Sequence, residues 1–272
     1  MIFDEFIQRW DLVPDGDPIV TATSQLLPVC RGNKPAMLKV ATEPEEMRGG
    51  ALMVWWDGDG AAQVLAHDGP ALLLERATGA RSLVAMSTLG ADDEATTVIC
   101  GVVSRLHARR DPPPPGLVPL EEWFRELWPA ARAHGGILRD SAATARELLA
   151  DQRDVSVLHG DIHHGNILDF GSRGWLAIDP KGLIGERGYD FANTFCNPPQ
   201  QDIATLRERI LRRADIIAAA AHLDRDRLLR CVLAYAGLSA AWFLGDWGHG
   251  DVESASLPLR IAEIAAAELV HF

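Results

Sequence analysis

The stretch HGDIHHGNILDFGSRGWLAID, His159 to Asp179, decides how this chain is read. Three histidines and three aspartates share one segment, which fits a metal cluster, a phosphotransfer loop or an ordinary turn. The apolar run VSVL ahead of it reads as a buried strand that ends at the turn beginning with His159. Asn166 lies 5 residues beyond Asp161, and Asp179 lies 13 beyond Asn166. Strand NILDF, turn GSRG and strand WLAI fill that gap with a hairpin, which folds Asp179 back beside Asn166.

As a metal site, His159, Asp161, His163 and His164 superficially resemble the HxHxDH signature of metallo-β-lactamase-like hydrolases, with His and Asp exchanged in the first half. That fold needs strands throughout and further ligands downstream, whereas the later chain reads as helical. The kinase reading accounts for more positions. The segment resembles the catalytic loop and metal-binding aspartate of the protein-kinase-like fold, in the HGDxxxxN form of small-molecule kinases. That resemblance implies ATP and Mg²⁺. Phosphoryl transfer needs a carboxylate near the acceptor proton and oxygen ligands for a cation on the phosphates. Asp161 is the expected base, and Asn166 and Asp179 the expected Mg²⁺ ligands, because this hard cation prefers oxygen to imidazole.

The letters DFG at Asp169–Gly171 imitate a kinase motif, but Asp169 follows Asn166 by only 3 residues and stays on the hairpin's first strand. It reads as a strand-end or turn acid. His159 is expected to brace the loop through hydrogen bonds. His163 and His164 either line the acceptor pocket or are solvated or structurally bonded.

The 272 residues suffice for one large or two small cores without staples. The 4 cysteines include no CxxC pair, so neither a zinc ribbon nor a disulfide framework is indicated. The N-terminal MIFDEFIQRWDLV carries acids where a signal peptide is basic, and no apolar run approaches the roughly 18 residues of a membrane span. A cytoplasmic protein is expected. The net charge of −12 disfavours nucleic acid and anionic membrane and favours a cationic partner.

Outward from the central segment, the chain divides into a small β-rich lobe, residues 1–77, and a larger, mostly helical lobe, residues 78–272, an α+β class. IVTATSQLLPV and PAMLKVA predict a hairpin, EPEEMRGGALMVWW a helix weakened by Gly49 and Gly50, and AAQVLAHDGPALLLERA two more strands. Val98, Ile99, Val102, Val103 and Leu106 form a helical stripe; DPPPPG is a loop. Helices are expected around 119–134, 140–151, 200–221, 225–245 and 255–270. In a kinase-like lobe, Lys39 on its strand matches the lysine of VAIK, with Glu46 as helix partner and Glu45 close behind. LLLERATG resembles the hinge, with backbone groups of Glu75 and Ala77 on the adenine edge. There is no glycine-rich loop; Thr21, Thr23 and Ser24 stand where it would cover the phosphates.

HGDIHHGNILDFGSRGWLAIDPKGLIGERGYDFANTF, WWDGDGAAQVL, LLLERATGA, RLHA and GLSAAWFLGD together resemble the aminoglycoside phosphotransferases, and within them the streptomycin 6-phosphotransferase branch. The resemblance runs from about Leu26 to Asp246. It implies ATP-dependent phosphorylation of streptomycin at its 6-hydroxyl, conferring antibiotic resistance; a monomer is expected. A guanidinium-bearing acceptor calls for carboxylates. The candidates are Glu186, Asp190, Asp246, Asp251 and Glu253, with Trp242 and Trp247 to stack on guanidinium planes; Asp190 is equally placed to bond the turn after the metal strand. Lys181, a cation beside the metal carboxylate, departs from the pattern. The alternatives are a kinase of another small cation, choline or an amino sugar, and a kinase fold that only binds.

Overall fold

Period-two burial organises the first part of the chain. In the computed structural model, which describes residues 2–114, 116–199, 203–245 and 250–270, helix α1 (Asp4–Trp10) precedes strands β1 (Leu12–Pro14), β2 (Ile19–Val20), β3 (Ser24–Arg31) and β4 (Lys34–Ala41). Helix α2 (Pro44–Trp56) and strands β5 (Val64–Asp68) and β6 (Ala71–Glu75) follow. The strands form one antiparallel sheet in the order β1-β3-β4-β6-β5, with β2 on β3. Leu27, Val29, Ala36, Leu38, Val40 and Leu73 bury one face against Phe3, Phe6 and Leu12. Side chains alternate along a strand, so Leu26, Met37, Lys39, Ala41, Leu72 and Leu74 turn the other way and line a cavity of about 490 Å³. Helix α1, too short to leave a periodic signal, supplies Phe6 to the core on the outer face.

The remainder is mostly helical, and with the sheet it makes the expected α+β, two-lobed, kinase-like architecture. Its elements are α3 (Leu83–Thr88), α4 (Asp92–Leu106), β7 (Val118–Pro119), α5 (Leu120–Trp123), α6 (Leu127–His134), α7 (Gly136–Ala150) and β8 (Val155–Leu158). Then come β9 (Ile167–Asp169), β10 (Trp175–Ala177), β11 (Leu183–Glu186), α8 (Gly188–Ala192), α9 (Ile203–Ala221), α10 (Arg225–Leu244) and α11 (Val252–Leu269). Strands β9 and β10 pair antiparallel, Ile167 opposite Ala177, which is the hairpin the spacing predicts. Strand β11 joins β8 antiparallel and β7 parallel.

Helix α10 is buried along most of its length, from Leu228 to Ala241. By length and composition it could cross a bilayer, contrary to the expectation that no segment comes close, but 72% of that window is buried inside the fold. A helix apolar on all sides is here the axis of the helical lobe.

The glycines that weaken α2 as a sequence signal have a packing reason. A Cβ on Gly49 would overlap the carbonyl oxygen of Pro180, so α2 rests its backbone directly on the segment after Asp179. Gly49→Ala would strengthen an exposed helix by roughly 0.5–1 kcal/mol. Here the expected result is a loss of about 1–3 kcal/mol from forced overpacking, read as a lower melting temperature. A melting temperature equal to or above the parent's would contradict the close approach.

Candidate active site

The catalytic loop is built from the end of β8. Gly160 has φ +84, and a Cβ there would press on Leu183, so the turn in HGD needs glycine for both reasons. Asp190, fully buried on α8, accepts the backbone N–H of His159 (2.9 Å) and of Gly160 (2.7 Å), and lies 2.8 Å from His107 Nε2. His159 Nδ1 accepts the Asp161 N–H (3.2 Å), and its Nε2–H donates to Ile178 O (2.9 Å), which fixes a neutral tautomer. Burial pushes its pKa down, in keeping with that state. Its ring stacks on Trp56 at 5.9 Å. His159 therefore braces the loop.

Two amides hold the Asp161 carboxylate: Asn193 Nδ2 donates to Oδ1 (2.7 Å) and Asn166 Nδ2 to Oδ2 (3.2 Å). Burial pushes Asp161 up to about 7, against the pull of Lys181 and with the push of Asp179; the amides oppose the rise. A carboxylate poised there can take a proton near neutral pH. Asn166 Nδ2 also donates to the Asp161 carbonyl (2.9 Å), so its Oδ1 faces away from Asp161. The Ile178 N–H bonds Asn166 O (2.9 Å), which brings Asp179 next to Asn166 across the hairpin. Lys39 pairs with both Asp179 and Glu46. Burial would raise Asp179, but the Lys39 ammonium holds its carboxyl below the usual range. Glu45 instead meets Lys181 (3.2 Å). A hard cation suits what remains: Asn166 Oδ1 and the Asp179 carboxylate are oxygens.

The other nucleotide-side residues converge. Thr21, Thr23, Ser24, Lys39, Glu46, Glu75, Ala77 and Asp179 all line the cavity of about 490 Å³. In place of glycines, the turn at 21–24 is closed by hydroxyls: Thr21 Oγ1 donates to Ser24 O (2.9 Å), and Thr23 Oγ1 to Glu46 Oε1 (3.0 Å). On the far side of the loop, Asp161, His163 and Trp242 line a second cavity of about 1050 Å³, with Asn193, Asn197, Tyr235, Ser239, Glu253 and Arg260.

Four residues expected at the acceptor are engaged elsewhere. Glu186 pairs with Val155, at the opposite end of the β8–β11 ladder from the loop, and is clamped by Arg227 through two 2.6 Å bonds and by the Arg153 N–H (3.1 Å). Asp190 serves the loop backbone, as above. His164 is buried with Nε2 3.3 Å from Arg213, which also binds Asp92, Thr194 O and Asn197 O. Asp251 caps α11 through Ser254 N–H (3.0 Å). Asp246 and Trp247 lie outside the described residues. The three histidines of the opening stretch point to Ile178, to Gly165 and to Arg213, in no common direction. Among the described residues, no group of three or more His, Cys, Asp or Glu is arranged to hold a metal.

His164 carries a pH consequence. Burial, helped by the Arg213 guanidinium, pushes it down to about 3. The unfolded chain takes up this proton below about pH 6.5 and the folded chain does not. Stability therefore falls as pH drops through that window, by about 2 kcal/mol between pH 6.5 and 5. Thermal melts of the His164→Gln variant are expected to show a flatter acid limb than the parent; an identical limb would contradict this.

Asn193 was not anticipated, although a signal existed. It lies three residues after Asp190, at the C-cap just past α8, so one helical turn presents one residue to the loop backbone and one to its carboxylate. Asn197 donates to Asn193 Oδ1 (2.8 Å), aiming the Asn193 amide.

A carboxylate held by amides on the wall of one cavity, with a lysine–glutamate pair lining the other, is the arrangement of a kinase-fold phosphotransferase site. The fold is shared with an aminoglycoside phosphotransferase, APH(4)-Ia, at TM-score 0.66, with 15% identity and 98% of each chain covered. Residues 9–247 match the aminoglycoside/hydroxyurea antibiotic resistance kinases, and the chain belongs to that family. It is 49% identical to a streptomycin 3''-kinase of Klebsiella pneumoniae, over 95% of this chain and 98% of that one. It is 32% identical to a streptomycin 6-kinase of Streptomyces griseus, over 96% and 86%.

Proposed function

We propose that this protein transfers the γ-phosphoryl group of ATP to a hydroxyl of streptomycin, inactivating the antibiotic. The observation that carries the reading is the position of Asp161, on the wall of the larger cavity and one loop away from the Lys39–Glu46–Asp179 cluster in the smaller one. Residues 1–77 form the nucleotide-binding lobe and 78–272 the catalytic and acceptor-binding lobe. Every group involved comes from one chain, so a monomer suffices.

Lys39, oriented by Glu46, binds phosphate oxygens, and backbone groups of Glu75 and Ala77 read the adenine edge. Asn166 and Asp179 would hold Mg²⁺, which supplies charge neutralisation on the phosphates when bound. Asp161 accepts the acceptor proton. Burial pushes His163 down to about 4, so it is neutral; with Nδ1 accepting the Gly165 N–H (3.0 Å), its Nε2–H stands 3.9 Å from Asp161 Oδ2, beyond hydrogen-bond reach, and can donate to the acceptor. Trp242 offers a ring to a guanidinium and Glu253 a carboxylate.

Hydroxyurea, the other substrate in the family's name, has a handful of heavy atoms, whereas a cavity of about 1050 Å³ suits a ligand of antibiotic size. Choline is too small on the same ground. For the hydroxyl, the 6-position implied by the sequence resemblance competes with the 3''-position. The 49% relative supports 3'' over the 32% relative's 6. The test is ADP release with Mg-ATP and a panel of streptomycin, hygromycin B, hydroxyurea, choline and homoserine, followed by phosphorus NMR of the product. Turnover with streptomycin and a 3''-phosphate are expected. Turnover with choline alone, or with nothing, would overturn the reading.

A further inference from the structure

Lys181, the departure from the expected pattern, lines the nucleotide cavity and is bonded through its backbone to the loop that carries Asp161. Its N–H donates to His159 O (2.7 Å), which pins its backbone to the loop two residues before Asp161. A Cβ on Gly160 would lie 3.2 Å from Lys181 Cβ, so the two segments touch with nothing between them. Its Nζ lies 3.2 Å from Glu45 Oε1 and 3.4 Å from Glu46 Oε1. Glu46 thus carries two lysines, Lys39 on Oε2 and Lys181 on Oε1. Lys181 also lines the nucleotide cavity, and its charge acts on Asp161 and Asp179.

Lys39 is committed to Glu46 and Asp179 at the inner end of the nucleotide cavity, whereas Asp161 opens to the acceptor cavity. Lys181 lines the nucleotide cavity with Lys39 and Asp179 and is bonded to the loop that carries Asp161, so it stands beside the route from one group to the other. During transfer the three peripheral oxygens of the phosphoryl group carry the charge, and fixed cations aimed at them are a large source of rate enhancement. Glu45, at 31% side-chain exposure, is a weak competitor for the ammonium, and the buried Glu46 divides its charge between Lys181 and Lys39.

We propose that Lys181 is a catalytic residue: with nucleotide bound, its ammonium contacts the γ-phosphoryl oxygens and holds their charge during transfer. The bond from γ-phosphorus to the β–γ bridging oxygen breaks, and its electron pair leaves with ADP. The bond from phosphorus to the acceptor oxygen forms, and the acceptor proton goes to Asp161. Lys181 keeps its protons throughout. The inference rests on the phosphotransferase reading above.

Binding of ATP and of ADP is measured in EDTA by calorimetry for the parent, Lys181→Met and Lys181→Arg, followed by kcat and KM with Mg-ATP and streptomycin. The parent is expected to prefer ATP over ADP by about 10-fold, the scale of one charge-assisted contact. Lys181→Met should bring that ratio close to one and leave ADP affinity within about 2-fold, while Lys181→Arg keeps most of it. With streptomycin, kcat of Lys181→Met should fall on the order of 10²-fold with little change in KM for ATP. Where methionine lowers the melting temperature, Lys181→Gln serves the same comparison. An unchanged ATP/ADP ratio, or equal weakening of both nucleotides, would make Lys181 a tether of α2 and overturn the proposal. The ratio needs no acceptor, so it remains decisive if the parent phosphorylates none, a result that would count against the functional reading alone.

Discussion

Asp161→Asn is expected to lower kcat by about 10²- to 10⁴-fold, which corresponds to roughly 3–5 kcal/mol of barrier. Affinity for ATP should change little, because Asp161 lies on the acceptor side of the loop and the lysine, helix glutamate and hinge are untouched. The substitution is nearly isosteric. Its specific cost is chemical: an amide cannot take the acceptor proton, and it brings a second N–H₂ group towards the amides of Asn166 and Asn193. Steady-state rates with streptomycin, together with ATP titration, separate these effects. Parent-level turnover by the variant would remove Asp161 from the mechanism.

Asp190→Ala should have the largest effect on stability. The carboxylate satisfies two buried backbone N–H groups and faces His107, and alanine offers none of the three an acceptor. Buried donors left unpaired cost about 1–3 kcal/mol each; allowing for relaxation, a total of about 3 kcal/mol is expected. At roughly 2–4 °C per kcal/mol, the melting temperature drops by about 6–12 °C. Activity falls as well, since the loop carrying Asp161 loses the clamp on its first two residues. Asp190→Asn keeps one acceptor oxygen and should fall between parent and alanine variant. A melting temperature within a degree of the parent's would mean that the loop holds its shape without this carboxylate.

These two aspartates show what the sequence could and could not express. Asp161, Asn166 and Asp179 were legible because a turn and a hairpin bind them by local geometry: five residues of loop, then a strand, a tight turn and a strand. Lys39 and Glu46 were legible because a strand lysine ahead of a glutamate-bearing helix matches the kinase pairing, but the choice between Glu45 and Glu46 needed the helix phase that the fold supplies. Glu186 was misplaced, and Asp190 was left open between acceptor and structural roles, for the opposite reason. Their partners are the backbone at 159–160 and Arg227, 41 residues beyond Glu186, and nothing in the chain near either acid shows those contacts. His164 likewise meets Arg213 from α9, across 49 positions. Gly49 and Gly50 counted against a helix because propensity is local, whereas the contact that requires Gly49 is with Pro180. Helices α1, α3 and α8 have 7, 6 and 5 residues, too few for an apolar stripe to repeat.

A crystal structure of the protein with a non-hydrolysable ATP analogue, Mg²⁺ and streptomycin tests the account most directly. It should show one ion touching oxygens of both Asn166 and Asp179, and a streptomycin hydroxyl within about 3 Å of an Asp161 carboxylate oxygen. Streptomycin seated away from Asp161, or Asn166 and Asp179 turned to separate ions, would contradict it.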